Sequence, residues 1–147
     1  MVTAVPYLSV HDADAALAFY CGAFGAREVE RWTDDHGKVG HAEIAIGDAT
    51  VYVSDEYPEV GAVSPRSLGG ATSAIVLSVA DADAFWARAV EHGADGYRPV
   101  VDNPGGRRAG WIRDPFGQRW NIDMVTQNAS NAELDAEVGD SFTTTRP

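Results

Sequence analysis

Short runs of alternating apolar and polar residues, separated by turns, dominate the chain. Residues 4–10 form the first run, and its period of two predicts a strand. Apolar residues then recur at helical spacing over 15–24, with Asp12 or Asp14 as the N-cap. Gly25 is suited to end this helix. Three more strands are predicted at 27–32, 39–46 and 50–54, so the first unit has the order βαβββ.

The second half of the chain repeats this order. Residues 8–15 (LSVHDADA) and 77–84 (LSVADADA) agree at seven of eight positions, 69 residues apart. An internal repeat determines architecture before any single motif does. A strand is predicted at 73–79, and a helix capped by Asp81 or Asp83 runs to about His92. Further strands follow at 96–100, 108–113 and 118–124, the last two joined by a turn at 114–117.

The fold class predicted is α+β, with two βαβββ modules at about 4–55 and 73–125 in one domain, 1–126. The linker, 56–72, is rich in Pro, Gly and Ser. The tail, 127–147, is polar and acidic and is expected to be flexible, with a short helix over 129–138 as the alternative.

The composition of the chain argues against several classes of function. The chain has 147 residues, 45% of them hydrophobic, which is enough for a sizeable core. Its net charge of −11 argues against nucleic-acid binding, suits solubility and permits a cationic ligand. A single cysteine, Cys21, excludes an intrachain disulfide framework. Without an apolar run of about 20 residues or a basic, apolar N-terminal signal, no membrane association is expected. We therefore expect a soluble cytoplasmic protein.

Several segments together resemble the vicinal oxygen chelate superfamily, which includes glyoxalases, extradiol dioxygenases, and fosfomycin- and bleomycin-resistance proteins. Each module opens with Leu-x-Val-x-Asp (8–12 and 77–81), and Asp-Pro-Phe-Gly (114–117) precedes the last strand. The segments HAEIAIGD (41–48) and DPFGQRW (114–120) are most similar to small metal-free glyoxalase/bleomycin-resistance-like proteins. The resemblance implies a cupped mixed sheet made by the two modules, and a homodimer.

The resemblance also implies where a metal would bind. In metal-dependent members each module supplies two ligands, at positions that correspond here to Val5, Tyr52, Ala74 and Asn121. None of these is a usual ligand, whereas catalytic metals normally need about three His, Cys or carboxylate groups. We therefore expect no metal and no cofactor.

Side chains alternate between the two faces of a strand, so residues two positions away from these four lie on the same faces. A small-molecule site would be lined by polar and aromatic groups of this kind, provided that the cup is open rather than filled. Trp111 is predicted as a stacking platform. Arg108 is predicted to clamp an anionic group, with a solvated loop as the alternative. The predicted ligand-binding residues are Tyr7, Ser9, Tyr52, Ser54, Ser78, Arg108, Trp111 and Asn121.

His41 and Glu43 lie two apart on one strand and therefore share a face. They are candidates for an acid–base pair, half of a displaced metal site, or an anchor for a cationic ligand. A purely structural pair is the alternative.

The favoured hypothesis is a metal-independent binding protein of the bleomycin-resistance type, and thus of antibiotic-resistance character, for a drug-like or aromatic ligand. An enzymatic role is left open but is not favoured. It would be a metal-free lyase or isomerase, or an enzyme with a relocated metal, using His41 and Glu43. The sequence names no ligand. It also leaves open whether the chain closes its own cup or exchanges a module with a partner.

Overall fold

A computed structural model of the protein describes residues 1–147, apart from the side chain of residue 140. The first module begins with β1 (Tyr7–Val10) and α1 (Ala13–Phe24). It continues with β2 (Arg27–Thr33), β3 (Val39–Ile46) and β4 (Ala49–Asp55). These strands form one sheet in the order β1–β4–β3–β2, in which β1 pairs with β4 in parallel and the other pairs are antiparallel.

The linker is folded. It contains a single 3₁₀ turn, Pro58–Val60, and a one-turn helix, α2 (Pro65–Leu68). The Ser64 side chain caps α2, and the Ser64 backbone N–H donates to the Glu56 carboxylate at 2.7 Å. This helix follows from a Ser-Pro pair, because Ser is a favoured N-cap and Pro a favoured first helical residue.

The second module repeats the first. Its elements are β5 (Ala74–Ser78), α3 (Ala82–Glu91), β6 (Asp95–Asn103), β7 (Arg107–Arg113) and β8 (Arg119–Val125). The sheet order is β5–β8–β7–β6, with β5 and β8 parallel. The predicted α+β fold of two βαβββ modules is therefore confirmed.

The repeated motif encodes the start of each helix. Asp12 and Asp81 are the N-caps of α1 and α3, and their carboxylates accept the backbone N–H of Ala15 and Ala84. A side-chain acceptor here satisfies a backbone donor that the helix leaves free. Asp14 is instead available to the Arg31 guanidinium, 2.5 Å away.

The two modules share one core. Helix α1 contacts its own sheet and also α3. The Phe24 ring lies 4.9 Å from that of Trp120 and 5.3 Å from that of Phe85, centroid to centroid. Trp120 is fully buried, as are Tyr20 and Leu17 of α1. Each sheet therefore buries one face towards the helices and leaves the other face outside the shared core.

A buried carboxylate joins the modules at this core. Asp114, in the β7–β8 turn, accepts the Tyr20 hydroxyl at 2.7 Å and the Trp120 indole N–H at 2.9 Å. Its other oxygen accepts the backbone N–H of Phe116 and Gln118. Burial raises the pKa of Asp114 and the four hydrogen bonds lower it, with burial the larger effect. Burial and the neighbouring carboxylate raise the pKa of Tyr20 well above 10, so its hydroxyl remains a donor.

The end of the chain contains a further helix, α4 (Asn131–Val138), followed by a 3₁₀ turn, Gly139–Ser141. Ser130 and Glu133 form a capping box at its start. Glu137 accepts the backbone N–H of Gly105 at 2.7 Å, which connects α4 to the β6–β7 turn. Among the described residues, no helix has the length and apolar character needed to cross a bilayer.

Removing the Tyr20 hydroxyl should weaken the joint between the modules. Tyr20→Phe keeps the ring but leaves the buried Asp114 carboxylate short of one donor. We expect the free energy of unfolding to fall by about 1–3 kcal/mol, measured by urea denaturation. In the control, Tyr57→Phe, the change should stay within about 0.5 kcal/mol. Equal losses in the two variants would contradict this role for Asp114.

The linker's approach to the β7–β8 turn can be tested at Gly117, where φ is +86° and an added Cβ would lie 2.7 Å from Pro65 Cβ. Gly37 is a matched control, since its φ is +83° but an added Cβ meets no atom within 4 Å. Alanine at either position should cost about 1–2 kcal/mol from backbone strain. Gly117→Ala should cost at least about 1 kcal/mol more, because Pro65 must move. Thermal unfolding of both variants measures the difference, and no difference would contradict this packing.

Candidate functional site

The face of the first sheet that points away from α1 carries most of the polar and aromatic candidates, and we call it the first open face. Strand pairing sets Tyr7 beside Tyr52 and Ser9 beside Ser54. It also sets Glu43 beside Tyr52. The alternate residues of the same strands are apolar and buried against α1. The predicted residues Tyr7, Ser9, Tyr52 and Ser54 therefore lie side by side on this face, together with His41 and Glu43.

His41 lies at the centre of an aromatic cluster on this face. Its ring centroid lies 4.8 Å from that of Tyr52, 5.0 Å from that of Trp32 and 5.5 Å from that of Tyr7. The Tyr7 hydroxyl is 2.9 Å from His41 Nδ1. Trp32 is 63% exposed, although its ring is large and apolar. The cluster therefore presents aromatic surface to whatever occupies the open face.

The carboxylate that faces the imidazole comes from a neighbouring strand. Glu30 Oε1 is 3.8 Å from His41 Nε2. Glu43 shares the face with His41, as the period of two predicted, and pairs directly with Glu30 across β2 and β3. Glu30 lies two residues before Trp32 with no register shift between them, so both side chains are on this face, but the sequence does not show which residues pair with them on β3. Two carboxylates therefore lie next to each other beside the aromatic cluster.

A cavity of about 540 Å³ borders this cluster. Tyr7, Ser9, Gly40 and Ser54 form its sheet side, and residues of the linker form the rest of its wall. Burial raises the pKa of Tyr7, while its hydrogen bond with Ser54 lowers it, and burial is the larger effect. The Tyr7 hydroxyl is therefore protonated at neutral pH and can donate a hydrogen bond.

The corresponding face of the second sheet, the second open face, carries a smaller cavity of about 240 Å³. Trp111 and Asn121, which pair across β7 and β8, both line it together with Arg98. The Arg119 guanidinium lies over the Trp111 ring, 5.1 Å from its centroid. Asp123 is buried and bound by Arg107 at the edge of the cavity. This face is therefore rich in arginine, whereas the first open face is acidic.

One predicted residue, Arg108, is not brought together with the others. Arg108 lies on the helix side of β7, where its guanidinium is 2.7 Å from the Asp83 carboxylate and 3.1 Å from that of Asp102. These carboxylates raise the pKa of Arg108, and the two ion pairs link β7 to α3 and to β6. Ser78 is exposed at the end of β5 and pairs with Asp123, so it lies on the second open face with Asn121, outside the cavity on that face. Each cavity is lined by one module, so the predicted residues form two separate half-sites within a chain.

The donor groups do not fit the metal of the metal-dependent relatives. Val5 and Ala74 have no donor atom, and Tyr52 and Asn121 are poor ligands on their own. Among the described side chains, no group of three or more His, Cys, Asp or Glu residues is placed to hold a metal ion. The four positions that the resemblance marks for a metal therefore do not supply a usual ligand set.

Comparisons with known proteins agree with this architecture. The family model of the glyoxalase/bleomycin resistance protein/dioxygenase superfamily matches residues 2–122. An uncharacterised protein of Mycobacterium bovis is 36% identical over 134 residues, which cover 89% of this chain and 88% of that one. The crystal structure of TioX from Micromonospora sp. ML1 superimposes with a TM-score of 0.65 at 26% identity, covering 88% of this chain and all of TioX.

A superfamily member from Sphaerobacter thermophilus has a TM-score of 0.64 at 23% identity, with 84% of this chain and 98% of that one covered, and supports the fold alone. Two cupped βαβββ modules define the vicinal oxygen chelate class. The chain belongs to the glyoxalase/bleomycin resistance protein/dioxygenase superfamily.

Proposed function

We propose that this protein binds a cationic aromatic small molecule on the first open face without a metal, and that a second copy of the chain covers the site. One observation carries the proposal: the exposed Trp32 indole lies beside His41, next to the adjacent carboxylates of Glu30 and Glu43. Large exposed aromatic side chains at a polar edge are typical of binding sites.

The charges on this face support a cationic ligand. Glu30 and Glu43 are direct cross-strand partners, an arrangement of like charges that destabilises a sheet. A bound cation would offset this repulsion. The ring faces of Trp32 and Tyr52 would add cation–π attraction, which is strongest for tryptophan.

A second copy is the occupant that best covers both open faces. Each face leaves apolar or aromatic side chains exposed, with Tyr7 53% exposed on the first and Val76 59% on the second. Their charges are complementary, since carboxylates project from the first face and Arg98 and Arg119 lie on the second. The first open face of one protomer would therefore lie against the second open face of its partner, which would join the two half-sites.

The ligand can be tested with a matched pair of probes, the cation N-methylquinolinium and its neutral isostere 1-methylnaphthalene. We expect quenching of tryptophan fluorescence by both and about tenfold tighter binding of the cation. Glu43→Gln should reduce this preference and Trp32→Leu should weaken both affinities, whereas Glu91→Gln, on α3, should change neither. Equal binding of the two probes, or no binding of either, would contradict the proposal.

Dimerisation is tested by sedimentation equilibrium. The wild-type chain should be a dimer at micromolar concentration, and Val76→Arg should weaken the dimer at least tenfold by placing a charge on the second open face. Val29→Arg places the same charge at an exposed valine of β2 and should have little effect. A monomeric wild-type protein would rule out this arrangement.

A second candidate, a metal-free lyase or isomerase, is supported by the chain of groups from Tyr7 through His41 to Glu30. Such a chain could move a proton at the Tyr7 oxygen, with His41 as the base and Glu30 orienting it. Glu30 would take the carboxylate role expected of Glu43. Mass spectrometry of the recovered ligand separates the candidates, because a binding protein returns it unchanged.

A further inference from the structure

A cavity of about 820 Å³, larger than either open-face cavity, lies where the linker meets the β7–β8 turn. We call it the junction cavity. Its wall is formed by the residue that follows β1, by α2 and by the second module. The lining residues include His11, Pro65, Arg66, Arg113, Phe116 and Arg119. None of the groups proposed to hold the cationic ligand lines it.

Three arginines converge on this cavity in a chain whose net charge is −11. Among the described side chains, Arg66 and Arg119 have no ion pair with a carboxylate, while Arg113 lies 3.5 Å from Asp95. The carboxylate in the wall, Asp114, is already surrounded by four donors. The cavity wall therefore carries three guanidinium groups against one carboxylate, an excess of positive charge that favours anion binding.

Arg119 is held in place before any ligand binds. Its Nε donates to the Tyr97 hydroxyl at 3.3 Å, and its guanidinium lies over the Trp111 ring. A guanidinium that is positioned in advance loses less side-chain freedom when it binds a carboxylate or phosphate.

His11 provides an independent observation. Its Nδ1 is the one described buried side-chain nitrogen or oxygen without a hydrogen-bond partner. An unpaired buried polar atom is unusual in folded proteins and is found where an ion, a water or a functional role accounts for it. His11 is one of the residues that line the junction cavity, and a polar occupant there would give this nitrogen a partner.

The wall also has apolar parts. Phe116 is buried, and its ring lies 5.5 Å from that of His11. Pro65 packs closely against Gly117, which also lines the cavity. A volume in this range suits a small organic molecule rather than an inorganic ion alone.

We infer that the junction cavity binds an organic anion, with a phosphate or carboxylate group held by Arg66 and Arg119 and an apolar part against Phe116 and Pro65. This site is distinct from the proposed site on the first open face, although Arg119 also belongs to the second open face that the proposed dimer would cover.

Calorimetric titration at constant ionic strength, with phenyl phosphate, benzoate and inorganic phosphate as probes, tests the inference. At least one aromatic anion should bind more tightly than inorganic phosphate. Arg66→Gln and Arg119→Gln should each weaken that binding by about tenfold or more. Arg66→Lys keeps the positive charge but loses the two parallel donors of the guanidinium, so it should weaken anion binding less than Arg66→Gln does. Arg27→Gln, an exposed arginine on β2, should leave affinity unchanged.

Three results would overturn the inference: no binding of either aromatic anion, inorganic phosphate binding as tightly as both, or equal weakening by Arg27→Gln. Arg66 is exposed on the linker, so its replacement should leave the fold intact, which far-ultraviolet circular dichroism checks. Binding of N-methylquinolinium should be unaffected in Arg66→Gln, so that failure of one site does not mask the other.

Discussion

Four donors from both modules converge on the buried carboxylate of Asp114, and the placement of the other elements follows from this joint. Tyr20 reaches it from α1, while Trp120 and two backbone N–H groups reach it from the second module. The β7–β8 turn is thereby fixed against α1, and the two helices lie in one shared core. Because the sheets bury their helix-facing sides there, both open faces remain outside it. This explains why each open-face cavity belongs to one module.

The sequence predicted the elements well because local signals and the repeat agreed. Strand β3 was predicted at the residues where it occurs, and the Asp12 and Asp81 caps follow directly from the repeated motif. Helix α2 was not predicted, although Ser64 and Pro65 are ordinary signals for a helix start. The linker lies outside the repeat, so the repeat offers no second copy from which this helix could be recognised.

The candidate site was predicted only where strand alternation was regular. Tyr7, Ser9, Tyr52 and Ser54 lie on one face as expected. Glu30 was missed because its place depends on its cross-strand neighbours Glu43 and His41, and local alternation does not encode strand pairing. Arg108 belongs with Gly110 and Ile112 on the helix side of β7; it is three residues from Trp111, so alternation alone puts these two side chains on opposite faces. The junction cavity depends on tertiary packing of the linker, which no local pattern encodes. The domain bounds and ligand-binding roles remain predictions.

The four tryptophans allow one measurement that tests the central claim, binding on the first open face. Their indole N–H signals in a ¹⁵N NMR spectrum report separate places: Trp32 on the first open face, Trp111 on the second, Trp86 on α3 and Trp120 in the core. On addition of N-methylquinolinium, the Trp32 signal should shift most and the Trp120 signal should stay in place. Binding that leaves the Trp32 signal unchanged would contradict the account.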